Sequence, residues 1–319
     1  MVITIRSYFR RLCALLPLLT LLSCQKELCY DHSHGGQQLR IEFDWGWQTP
    51  DDVKGMTVLL YPEVGGAPLR YDLSGRSGGL VNITSGRYKA LCINADDRLL
   101  LTGTDSWETV AVTTAETEAL TRSYFRDTRT AIPRARSAEG ETVRQEPPQL
   151  YTDKLLTVDI RAVEGVQVIR FTPVMPLGVL HVRVENVVNA AFVEAVSGTV
   201  SGLSSSMSLT GLEPSGDHCT VPVSLHLSDD GALEGTLYFF GHCPSDEDLS
   251  HMLTIYSMLI DGSKQYTTFD ITTQMHGAED PLHPEALIQE LPLPKPQPID
   301  GGFDPSLDQW EVNPIDTDL

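Results

Sequence analysis

Past residue 35 the chain alternates: Leu39, Ile41, Phe43 and Trp45 are apolar, while Arg40, Glu42 and Asp44 between them are charged. A period of two places the apolar set on one face of a β-strand, whereas a helix would scatter it around its circumference. Short apolar runs follow at 56–61, 69–73, 80–83, 88–93 and 108–113. The separators 62–66, 74–79 and 84–86 are rich in glycine, with serine, threonine and proline among them, and supply turn dihedrals that interrupt ladders. The spacing predicts a β-sandwich.

From 114 to 148 this rhythm lapses, although 117–126 has the composition of a short helix. Residues 135–148 are mostly charged or small and read as an exposed linker, because they bury too little to offset the entropy of ordering. Strand runs resume at 151–160, 166–172 and 179–184. In the last of these Leu180, Val182 and Val184 alternate with His181 and Arg183, which makes His181 a solvent-facing residue. Further runs at 192–196, 207–209, 221–227, 235–240, 253–260 and 266–272 complete a second antiparallel set. Between the last two, Asp261, Gly262, Ser263 and Lys264 form a hairpin-turn signal, with Gly262 suited to positive φ. Beyond Met275, Pro281, Pro284, Pro292, Pro294, Pro296 and Pro298 oppose ladder pairing and predict an extended tail.

The N-terminal segment changes the picture from a plain all-β protein to an exported one. Arg6, Arg10 and Arg11 precede a mostly apolar run from Leu12 to Leu22, the charged and apolar parts of an export signal. That run is shorter than the roughly 20 residues a spanning helix needs. It ends in Leu21, Leu22, Ser23 and Cys24, which resembles the lipobox of bacterial lipoproteins, so Cys24 is the expected lipidation site. Its thiol accepts the diacylglyceryl group and its amine is acylated after cleavage; several chains are needed because one holds a protein only marginally. The expected organisation is therefore a signal peptide at 1–23, a lipidated tether at 24–38, a first sandwich with its linker at 39–148, a second at 149–290, and a proline-rich acidic tail at 291–319. Cleavage leaves 296 of the 319 residues, more than one core of ordinary size holds.

Cleavage also removes three basic residues and no acidic ones, taking the formal charge from −20 to −23. So acidic a surface repels phosphate backbones, and nucleic acid is excluded as a partner. Beyond Cys24 the chain keeps Cys29, Cys92, Cys219 and Cys243, an even set in a compartment that permits disulfides. Pairing Cys219 with Cys243 and Cys29 with Cys92 respects the domain division; the other two pairings stay open. No CxxC spacing occurs, so no thiolate metal site is expected.

Catalytic signatures are missing from the sequence: it carries no HExxH, phosphate loop or dinucleotide fingerprint, and neither metal nor cofactor is expected. The letters of a nucleophile elbow occur at Gly75, Arg76, Ser77, Gly78 and Gly79, but a strand run follows where that motif needs a helix. His32 and His34 lack a third ligand fixed in space, and His218, His226 and His242 are spaced too widely for a compact metal motif. The neighbouring acids Asp51 and Asp52, Asp96 and Asp97, Asp229 and Asp230, Glu247 and Asp248 read as solvated loop residues rather than a glycosidase pair. Trp45, Trp47, Trp107 and Trp310 raise the alternative of sugar stacking on exposed rings.

A family resemblance enters at this point. The lipobox, then Phe43, Asp44, Trp45, Gly46 and Trp47, the segment from Gly55 to Pro62, and the segment from Ser85 to Asn94 together resemble the fimbrillin-like lipoproteins of Bacteroidales, especially the FimB type that anchors or caps fimbriae. Later, the segment from Gly198 to Leu203 and the run after Leu253 are similar to the second domain of those proteins. The resemblance covers roughly residues 24–290. It implies two tandem transthyretin-like antiparallel β-sandwich domains, a lipid anchor in the outer membrane at Cys24, placement at the cell surface, and fimbrial subunits as partners. The main subunits of that family polymerise by β-strand addition, in which backbone bonds give affinity and alternating pockets give register. The expected function is non-enzymatic: a surface lipoprotein that anchors, caps or assembles fimbriae, the alternative being a glycan-binding outer-membrane lipoprotein. Trp310, Val312 and Ile315 in the tail are candidate partner contacts, with a short added strand around 308–313, the alternative being that Trp310 packs against its own domain.

Overall fold

The computed structural model describes residues 36–46, 52–117, 133–242, 249–296 and 310–312, the last as backbone. The chain is all-β, built as two tandem sandwiches.

The first sandwich opens with β1 (Gly36–Phe43), β2 (Gly55–Pro62), β3 (Leu69–Ser74), β4 (Gly79–Thr84) and β5 (Gly86–Asn94). In β1 the alternation is realised: Leu39, Ile41 and Phe43 are buried, each worth roughly 1.5–3 kcal/mol, while Arg40 faces solvent. One sheet runs in the order β3, β2, β5, β9 and the facing sheet β10, β1, β4, where β9 is Thr152–Ile160 and β10 is Val166–Phe171. Between β3 and β4 the chain crosses from one sheet to the other, and Gly78, at φ +91°, lies so close to β1 that a Cβ would overlap the Ile41 carbonyl oxygen.

Placing β9 and β10 in this sandwich corrects the expected division at 148/149. β9 pairs antiparallel with β5 from Gly86 opposite Ile160 to Ile93 opposite Thr152, and β10 runs parallel to β1 from Gln38 opposite Val166 to Phe43 opposite Phe171. The amide of Asn94 holds the returning chain: its Oδ1 accepts from the Tyr151 N–H at 2.7 Å and its Nδ2 donates to the Gln149 carbonyl at 3.0 Å. Period-two patterning tells which face a residue takes, not which strand it pairs with, and so could not see this return.

The stretch read as an exposed linker is also corrected. After β6 (Leu100–Thr102) and β7 (Ala111–Thr113), a 3-10 turn at Arg136–Ala138 leads to β8 (Thr142–Val143). β7 pairs with the second sandwich at Ser206 to Ser208, and β8 runs parallel to Cys219 and Thr220. Ala138, Val143 and Leu150 are buried. Low hydrophobicity over 135–148 is compensated by side-chain hydrogen bonds: Arg144 Nη1 donates to Thr113 Oγ1 at 3.1 Å, and Glu141 accepts from Thr220 Oγ1 at 2.7 Å and from the Gly202 N–H at 3.1 Å. The helix expected over 117–126 falls almost wholly outside the described residues.

The second sandwich comprises β11 (Gly178–Val184), β12 (Val187–Val188), β13 (Val193–Ser208), β14 (Glu213–Val223), β15 (Leu225–Leu227), β16 (Leu233–Phe239), β17 (Met252–Leu259), β18 (Lys264–Asp270), the short helix α1 (Thr272–His276), β19 (Glu285–Ile288), β20 (Leu291–Pro292) and β21 (Trp310–Val312). One sheet has the order β15, β16, β11, β19, the other β21, β18, β17, β13, β14, β8. Leu180, Val200, Leu203, Leu237, Phe239, Leu253 and Ile255 fill the space between them. The expected tail starts later than residue 291: β19 runs parallel to β11, β20 pairs with β12, and Leu291 and Leu293 are buried. Parallel pairs thus accompany the expected antiparallel ladders, with prolines at strand ends where a missing N–H costs nothing.

A third cluster joins the sandwiches. β2 is buried on both faces: Met56, Val58 and Leu60 point into the first core, whereas Leu59 and Tyr61, with Leu91 and Ile93 of β5, pack against Val112, Leu150, Leu177, Met207, Leu209 and Phe240. The unbroken apolar run at 56–61 is the sequence form of that two-sided burial.

Candidate functional site

Three places on the fold carry chemistry beyond packing. The first is the outer edge of the second sandwich. β18 is fully paired on its inner side with β17, from Met252 opposite Asp270 to Met258 opposite Lys264. On its outer side β21 lies parallel, with Lys264 opposite Trp310, Gln265 opposite Glu311 and Tyr266 opposite Val312. Among the described residues no strand pairs with the outer side of β18 from Thr267 to Asp270. A short strand thus lies within 308–313, but it covers part of an edge of its own chain, where the expected added strand would join a partner. Trp310 and Val312 lie on that strand, while Ile315 lies outside the described residues.

The second place is a recess of about 460 Å³ lined by Tyr61, Glu63, Lys89, Asp105, Trp107 and Glu108. Trp107 is half-buried and meets Tyr61 edge-on at 5.6 Å between ring centres, with Lys89 Nζ 5.3 Å from its centroid and 3.7 Å from Glu108. Burial, reinforced by Asp105, pushes the Tyr61 hydroxyl up to about 12, and it has no hydrogen-bond partner among the described residues. Trp45 is used otherwise: its Nε1 donates to the Arg76 carbonyl at 2.8 Å and its ring packs edge-on against Tyr151 at 5.5 Å. Trp47 lies outside the described residues.

The third place was missed in the sequence. His242 follows β16, His251 precedes β17, and His276 ends α1, yet one ring nitrogen of each lies within 4.8 Å of the others. His251 Nε2 is 3.1 Å from His276 Nε2, and His251 Nδ1 is 3.3 Å from the Ser201 carbonyl oxygen. The His242 ring stacks on His276 at 5.5 Å and meets His251 edge-on at 5.3 Å. His251 is fully buried, His242 half-buried and His276 exposed. Burial pushes His251 down to about 4, with the neighbouring His242, His276 and His218 adding to the shift and the Ser201 carbonyl opposing it. Burial, then His276, also lowers His242. Gly202, at φ +77°, sits at the β13 bulge between Val200 and Leu203, and a Cβ there would come 2.9 Å from His251 Nδ1. The spacings of 9 and 25 positions match no local motif, so only the sheet brings these side chains together.

The remaining expected site residues are dispersed. Cys92 is buried in the first core and Cys219 in the second, both as free thiols. Burial pushes Cys219 up to about 12 and Cys92 well above the usual thiol range, so neither supplies a thiolate at neutral pH. Cys24, Cys29 and Cys243 lie outside the described residues, as do His32 and His34. Ser77 sits in the turn before β4, with no helix after it to expose a nucleophile. Asp96 accepts from Arg98 at 2.8 Å, and Asp230 accepts from Ser228 Oγ at 2.5 Å and from Arg183 at 2.6 Å, which hold both carboxyls low. His218 lies on β14, near enough to His251 to add to its shift, and an exposed His226 lies on β15; among the described residues neither joins the ligand set of His242.

The tandem β-sandwich is a fold shared with a solved structure. A candidate adhesin from Bacteroides ovatus matches with TM-score 0.60 and 18% identity, covering 89% of this chain and 95% of that chain. A second candidate adhesin from Bacteroides ovatus has TM-score 0.48 and 12% identity over 80% of this chain and 88% of its own. The fimbrial anchor protein Mfa2 from Porphyromonas gingivalis has TM-score 0.47 and 12% identity over 80% of this chain and 90% of its own. No curated protein matches the chain in sequence. The chain belongs to the family described as "Domain of unknown function (DUF5119)", which matches residues 23–224, the first sandwich and the second as far as β14.

Proposed function

We propose that the protein is a non-enzymatic surface lipoprotein of the fimbrillin-like kind, held by acyl chains at Cys24, that anchors, caps or assembles fimbriae through the β18 edge. The observation that carries this reading is the cover on that edge: β21 offers three residues of parallel pairing, and the outer side of β18 continues beyond it. An exposed edge is a template for another strand, and natural proteins cover such edges. A short cover can give way to a longer partner strand, whose backbone bonds supply affinity and whose alternate side chains set register. The fold shared with the Bacteroides ovatus candidate adhesin supports the same class of role. Deleting residues 300–319 uncovers the β18 edge, so the truncated protein should stay folded and membrane-bound and capture fimbrial subunits at least as well as the intact one, whereas a complete knockout should release or shorten fimbriae; Cys24→Ser should lose incorporation of labelled palmitate. Unchanged fimbriae in a complete knockout would reject an assembly role.

A second reading, glycan binding, is favoured by the recess beside Trp107, where the Tyr61 hydroxyl is buried without a hydrogen-bond partner among the described residues. It ranks lower because Lys89 already lies over the Trp107 ring that a sugar would stack on. Binding of the purified protein to a defined glycan, lost in Trp107→Ala, would put this reading first.

A further inference from the structure

We infer that His242, His251 and His276 form a binding site for a single divalent transition-metal ion, with Zn²⁺ the best-fitting occupant. Imidazole nitrogen is a preferred ligand for Zn²⁺, and sites with fewer than four protein ligands complete the tetrahedron with water. Zinc–nitrogen bonds of about 2.0–2.1 Å place tetrahedral ligand atoms about 3.3 Å apart. His251 Nε2 and His276 Nε2 are already 3.1 Å apart, and all three ligand atoms lie within 4.8 Å, so small side-chain rotations close the set.

The surroundings match those of a ligating histidine. A metal-bound imidazole characteristically donates its other N–H to a carbonyl or carboxylate, which fixes the tautomer and turns the remaining lone pair to the metal. His251 Nδ1 faces the Ser201 carbonyl at 3.3 Å, leaving Nε2 as the base that faces His276. Its backbone is fixed as well: the His251 N–H donates to Thr272 Oγ1 at 2.8 Å, tying the start of β17 to the first residue of the helix that carries His276. The absent side chain at Gly202 makes room for the His251 ring. Exposed His276 gives an ion a path in from solvent. A bound ion would cross-link the ends of β16 and α1 to the start of β17.

The test uses the full chain purified in detergent, freed of metal by chelator and titrated with Zn²⁺ and with Co²⁺ as a spectroscopic probe. The expected result is one tightly bound ion per chain, a tetrahedral cobalt spectrum with strong visible absorption, and a rise in the unfolding midpoint that EDTA reverses. His276→Gln, at an exposed position that keeps the fold intact, should weaken binding at least about tenfold and abolish the thermal rise, and His242→Gln should do the same. His181→Gln on β11, and the paired substitution of His32 and His34 by Gln, should bind as the unmodified chain does. An octahedral cobalt spectrum, affinity unchanged in His276→Gln, or binding lost only when His32 and His34 are replaced would each overturn the assignment.

Discussion

Each sandwich is completed by a strand that arrives late in the chain and runs parallel to an edge, but the two additions differ in depth. In the first, β10 follows β1 through a register from Gln38 to Phe43, and Phe171 is fully buried, its ring stacked 5.9 Å from that of Phe43. In the second, β21 follows β18 only from Lys264 to Tyr266. Parallel ladders are slightly weaker per residue than antiparallel ones, so a late strand is secured chiefly by the side chain it inserts. The contrast separates a closure that belongs to the fold from a cover suited to exchange.

The strongest way to break the comparison is Phe171→Ala, which should cost about 3–5 kcal/mol, read as a lower denaturant midpoint. A loss below about 1 kcal/mol would mean that β10 is as loosely held as β21. The pH dependence of the second sandwich comes next. His251 binds protons less readily when folded than when unfolded, so between pH 6.5 and about 4 the unfolded chain carries more protons and stability falls as pH falls. The full effect is on the order of 3 kcal/mol, complete below the folded value and absent above the unfolded one. Unfolding midpoints in EDTA across that range should slope steeply for the unmodified chain and less for His251→Gln; identical slopes would show that this ring stays solvated.

Deleting residues 300–319 should change stability by about 1 kcal/mol or less, because the net gain from a few backbone bonds is offset by the entropy of ordering their residues. The sharper measurement is whether a peptide spanning 308–313 binds the truncated chain but not the intact one; equal binding to both would show that β21 does not occupy the edge. Smallest of all should be Arg170→Ala on β10, whose partner Glu42 lies 3.0 Å away on the exposed face. Surface pairs of this kind are worth at most about 1 kcal/mol, so a larger loss in a denaturation series would give β10 a lock besides Phe171.

By itself the amino-acid order settled the local state of most strands. In β1, alternation named Leu39, Ile41 and Phe43 as the inner face, and the unbroken run in β2 agreed with burial on both faces. These readings succeed because facing depends on neighbours two positions away. Partnership depends on segments far apart, and there the tertiary structure decided. It drew β9 and β10 back to the first sandwich, packed 135–150 against the second, and laid β21 on β18. It also turned His242, His251 and His276, dull in sequence, into neighbours. The cysteines mark the same boundary: their number suggested bridges, but which sulfur meets which is a matter of sheet position, and Cys92 and Cys219 point into separate cores. A ladder bond or a shared ion is indifferent to sequence distance, so no window along the chain holds the information that places its two ends together.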